Sequence, residues 1–109
     1  MKIDVATLKD TQTILYLEDK FFKNDKITKK TFKFFLRQQS ICFLMSLEGK
    51  PIGYAIVVFH KKIAWLCSIC AEKGYGKYPL KEVEKETIKR GYTSIKLEVR
   101  TDNNSAKDF

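Results

Sequence analysis

Arginine is scarce in this 109-residue chain: Arg37, Arg90 and Arg100 are the only three among 21 basic residues. Bidentate phosphate clamps and base-edge readout favour arginine, so the lysine excess argues against sequence-specific nucleic-acid recognition. No apolar run approaches the ~18 residues a membrane span needs. Met1-Lys2-Ile3-Asp4 puts an acid where a signal peptide carries its apolar region, so a cytoplasmic protein is expected. There are 3 cysteines, an odd count without the spacing of a disulfide framework, which also fits a reducing compartment. Cys67 and Cys70 make a lone C-x-x-C. Residues three apart on a strand point to opposite faces, and no second pair exists, so both are read as buried thiols and no metal site is expected. The single histidine, His60, falls among lysines in an expected turn. Repeats, linkers and low-complexity segments are missing as well.

What remains is the composition of one folded domain, residues 1–109, with 44% apolar and 13% aromatic residues. The net charge of +8 is read as lysine spread over a solvated surface or as a field for an anionic partner. In the second case a phosphate-bearing cofactor ranks ahead of nucleic acid.

Taken in order, Lys2 to Ala6 is a short strand. Asp10 or Thr11 can cap a first helix whose apolar face carries Ile14, Leu15, Leu17, Phe21 and Phe22. Thr28 can cap a second helix, with Phe32, Phe35 and Leu36 as its stripe. The apolar run Ile41 to Leu47 reads as a strand covered on both faces. Ile52 to Phe59 follows, with Gly53 marking a bulge or a close backbone approach. Ile63 to Cys70 completes an antiparallel meander. A helix from Pro79 to Arg90, with Leu80, Val83, Thr87 and Ile88 on one face, leads to the alternating strand Ser94 to Arg100. Reached through a crossover helix, that strand should lie parallel to the one before it. Ser105 to Phe109 reads as the first turn of a further helix.

The chain is organised around Ile63 to Lys77. An apolar strand runs into Lys73-Gly74-Tyr75-Gly76-Lys77 and then into a helix. That order puts free backbone N–H groups and the positive end of a helix dipole where an anion can sit. Lys73 and Lys77 add point charges for phosphate.

The order β-α-α-β-β-β-α-β-(α), with its Gly-x-Gly, resembles the GNAT superfamily of N-acetyltransferases. The run from Leu97-Glu98-Val99-Arg100 to Asn103-Asn104-Ser105-Ala106 is similar to the branch that acetylates the N-terminal amine of ribosomal proteins. The resemblance implies an α/β fold, a mixed sheet with an antiparallel meander and a β-α-β parallel step. It implies acetyl-CoA as co-substrate and a primary amine as acceptor: a protein N-terminus, a lysine, a polyamine or a small metabolite. Carried over, Gly74 and Gly76 would offer N–H groups to the coenzyme A pyrophosphate, with Lys73 and Lys77 beside it. The backbone of Ile69 and Cys70 would pair with the pantetheine arm, Asn103 would face it, and Glu98 would be the general base. The family pattern is departed from at Ala71, where a Gln or Arg is usual, and in a shorter link from Ile69 to Gly74. Pro79 is expected to push the helix start past the glycines. The family continues beyond Phe109 with a tyrosine acid and further strands, so the domain is read as incomplete at its C-terminus. Its last strand would then have an edge open to a second copy of the chain, giving a homodimer. Two rival readings are a coenzyme A-binding remnant without efficient catalysis and a basic nucleic-acid-binding domain.

Overall fold

A computed structural model describes residues 1–22 and 26–97. Five strands form one mixed sheet with the spatial order β1-β2-β3-β4-β5. They are β1 Lys2–Val5, β2 Ser40–Leu47, β3 Lys50–His60, β4 Ile63–Ala71 and β5 Ile95–Leu97. The helices among the described residues are α1 Thr11–Phe21, α2 Lys29–Arg37 and α3 Lys77–Lys89. β1 to β4 pair antiparallel, while β5 lies parallel to β4, with Ala64 opposite Ile95 and Leu66 opposite Leu97. This is the mixed α/β fold the sequence implied. No described helix is long and apolar enough to cross a membrane. The helical turn expected at Ser105 to Phe109 lies outside the described residues.

Strand alternation sorts the core into two layers. Cys42, Tyr54 and Ile56 pack with Ile14 and Leu17 of α1 and Phe32 of α2. Their neighbours Phe43, Ala55 and Val57 pack on the other side with Val83 of α3. β2 is therefore covered on both faces, as its unbroken apolar run implies. Thr28 caps α2 by accepting the Thr31 N–H at 3.1 Å. The start of the first helix differs from expectation. A 3₁₀ turn, Leu8–Asp10, precedes α1; Asp10 is the N-cap residue of α1 as expected, but its carboxylate accepts the Thr7 N–H at 2.9 Å and not an N–H of α1.

Two irregularities shape β4. Ile56 faces Ser68 but Val57 faces Leu66, so Cys67 is an extra residue, a β-bulge. The bulge flips the alternation, which lets Leu66 and Ile69 join the same layer. It also leaves Cys67 half-buried, not buried as expected. Gly53 is the second irregularity. A Cβ there would sit 2.5 Å from the Cys70 carbonyl oxygen and 2.9 Å from the Ala71 Cα. This is the close backbone approach its position in the sequence implied.

In α3, Pro79, Val83 and Thr87 form the buried stripe, and Ile88 is not on it, being 74% exposed. Ile88 stands one residue past Thr87, about 100° around the helix from it. In β5 Ile95 is half-buried and Lys96 lies over the Trp65 ring, but Leu97 is exposed, and the part of the expected strand from 98 to 100 lies outside the described residues.

Candidate active site

β4 ends at Ala71 and α3 begins at Lys77, with Gly76 as its N-cap. The helix starts directly after the glycines, so Pro79 does not displace it. Pro79 is the third helical residue, where N–H groups have no intrahelical acceptor, and its missing donor costs nothing there. The turn itself is held by the Tyr75 N–H on the Glu72 carbonyl at 3.0 Å and the Tyr78 N–H on the Tyr75 carbonyl at 3.2 Å. The amides of Gly74, Gly76 and Lys77 make no such turn bond among the described residues. They stand at the positive end of the α3 dipole.

The two glycines differ. Gly74 has φ +90°, and a Cβ there would meet nothing within 4 Å, so that side of the turn is open. Gly76 has φ −61°, an ordinary helical value. Glycine's conformational freedom is therefore needed at Gly74 and not at Gly76. Lys73 and Lys77 are both exposed, and the Lys77 ammonium lies 5.3 Å from the Tyr78 ring centroid. Three amides, two flanking ammonium groups and an open side suit a diphosphate.

Ile69 and Cys70 are 2% and 0% exposed. Ile69 faces the α3 layer and Cys70 the α1–α2 layer, so a ligand beside them would meet backbone. The described β4–β5 register ends at Leu66 and Leu97. Glu98 and Asn103 lie outside the described residues.

The structure also brings together residues that sequence reading passed over. Glu18, in α1, is 1% exposed and accepts a hydrogen bond from the Tyr54 hydroxyl. That hydroxyl is 2.8 Å from Ser68 Oγ on β4. Burial, with Cys70 and Glu18 adding to it, pushes the Tyr54 phenol well above its usual value. A signal for Glu18 existed: it follows Ile14 by four residues, which puts an acid on the apolar stripe. Lys20, in the last turn of α1, pairs with Glu72 at the start of the turn. Nothing in the sequence links positions so far apart. The pair neutralises the one carboxylate that begins the anion-suited turn.

The Acetyltransferase (GNAT) family model matches residues 8–109. The ribosomal-protein-S18-alanine N-acetyltransferase from Escherichia coli shares the fold with a TM-score of 0.81 and 24% identity, over 98% of this chain and 72% of that one. The ribosomal-protein-alanine N-acetyltransferase from Brucella melitensis biovar Abortus 2308 gives 0.77 and 13%, over 99% and 87%. An aminoglycoside acetyltransferase from an uncultured soil metagenomic sample gives 0.73 and 18%, over 99% and 83%. No curated protein sequence matches the chain.

Proposed function

The chain belongs to the acetyltransferase (GNAT) family, and from that premise we propose that it acetylates a primary amine, in first place the N-terminal amine of a protein. The observation that carries the reading is the turn at the head of α3, where the amides of Gly74, Gly76 and Lys77 make no turn bond among the described residues and the side of the turn at Gly74 is open. In this reading those amides and the Lys73 and Lys77 ammonium groups hold the pyrophosphate of acetyl-CoA. When bound, acetyl-CoA supplies the acetyl group as an activated thioester. The backbone of Ile69 and Cys70 lines the pantetheine arm, and Asn103 faces it. An amine must lose its proton before it attacks, and Glu98 is assigned that proton, taken directly or through a water.

The preference for a protein N-terminus rests on the run Leu97-Glu98-Val99-Arg100 and on the substrates named for the Escherichia coli and Brucella enzymes. The aminoglycoside enzyme of the same fold makes small amines the second choice. The odd count of three cysteines fits a cytoplasmic setting.

Acetyl-CoA should raise the melting temperature of the parent, since a ligand selective for the native state stabilises it by mass action. Gly74→Val should remove most of that shift, because valine disfavours positive φ and fills the open side. An unchanged shift would sink the cradle. Release of free thiol with an alanine-initiated peptide, compared with a lysine side chain and a polyamine, then ranks the acceptors. Turnover of the polyamine alone would overturn the protein N-terminus.

A further inference from the structure

We propose that a basic groove between the start of the first helix and α2 docks an acidic, apolar-anchored peptide segment of a protein partner. The groove has a volume of about 620 Å³. One wall is the backbone and side chains of Ala6 to Lys9, the other the last turn of α2. Its floor is apolar: Ala6 is buried, Leu36 half-buried, and Leu8 is 55% exposed. Its rim is cationic, with Lys9 on one side and Lys33 and Arg37 on the other. None of these three cations has an ion-pair partner among the described residues, whereas Lys2, Lys20, Lys26, Lys85 and Arg90 do. The nearby carboxylates are engaged elsewhere: Asp10 accepts the Thr7 N–H and Asp4 pairs with Lys2.

Lys33 and Arg37 are four residues apart on α2, a spacing at which like charges repel, and α2 contains no acid to offset them. An acidic ligand relieves that repulsion while its apolar side chains cover the floor. No aromatic ring lines the groove, so it offers no stacking platform for bases, and Arg37 is its only arginine. These features favour a peptide over a nucleic acid. β1, which leads into the groove, lies three strands from β4, about 14 Å across the sheet at the usual strand spacing. The groove is thus separate from the turn at Gly74 and independent of the function proposed for it.

The probe is a dye-labelled synthetic decapeptide of alternating Glu and Leu, titrated with the full chain and read by fluorescence anisotropy. Binding should weaken roughly 10-fold in Lys33→Glu/Arg37→Glu and should fall with added salt. Backbone amide shifts in the parent should concentrate at residues 6–9 and 33–37. Lys9→Glu serves as a second variant, and unchanged melting temperatures confirm that the variants fold. Equal affinity in folded variants, or shifts lying elsewhere, would overturn the proposal. So would stronger binding of an oligouridylate of equal charge to the same residues, which would make the groove a nucleic-acid surface.

Discussion

At the residue scale, the proposed chemistry rests on two positions of unlike legibility. Gly74 could be singled out in the sequence because a glycine between a strand and a helix, flanked by lysines, either shapes the turn or offers its amide to an anion. Its distinction from Gly76 could not, since φ depends on the path of the whole turn. Glu98 is legible only through its run of neighbours and lies outside the described residues. If it is the general base, Glu98→Gln should leave the acetyl-CoA-induced melting shift intact while transfer slows roughly 10²-fold at neutral pH. The deficit should shrink as pH rises and the amine deprotonates unaided. Equal turnover of mutant and parent at neutral pH, measured by thiol release, would remove Glu98 from the catalytic assignment.

At the scale of elements, the sequence marked the five strands and three α-helices that the structure describes, most of which have one or two apolar faces to bury, but not the 3₁₀ turn at Leu8–Asp10. Nor did it reveal the bulge at Cys67 or the shift of Ile88 off the buried stripe of α3. Both are set by pairing and packing with partners distant in the chain. Gly53 is the exception, a single residue whose type announced a long-range contact. Its missing Cβ lets β3 approach the end of β4, directly before the turn at Glu72 to Gly76. Gly53→Ala would push a methyl group into the Cys70 carbonyl and the Ala71 backbone, neither of which can yield as a flexible side chain would. The backbone must shift instead, at a cost typical of overpacking, roughly 1–3 kcal/mol. Because the end of β4 carries the turn, acetyl-CoA affinity should fall along with stability. Urea unfolding and a coenzyme A titration on the same variant check both effects. A loss of stability with unchanged affinity would mean that the turn is positioned independently of β4.

At the scale of the whole molecule, stability should depend on pH through two groups in the layer between the sheet and the α1–α2 pair. Burial, with Asp10 adding to it, raises the Cys42 thiol far above its ordinary 9.0, and Tyr54 is raised well above 10.0. Both groups are neutral when protonated, so the folded state holds its protons at pH values where the unfolded chain has released them. Their contribution is therefore fully present below pH 9 and is lost as pH rises, Cys42 from about pH 9 and Tyr54 from about pH 10. Each group steepens the decline by about 1.4 kcal/mol per pH unit once the unfolded chain has ionised it. Cys42→Ala removes one of the two and leaves lysines and exposed tyrosines unchanged. The mutant starts less stable because a buried sulfur is lost, but its stability should fall less steeply above pH 9. The gap between parent and mutant should then narrow by about 1 kcal/mol per unit toward pH 11. Urea unfolding at pH 8, 9.5 and 11 gives both curves. Parallel curves would mean that Cys42 ionises in the folded chain as readily as in the unfolded one, and that this layer admits water.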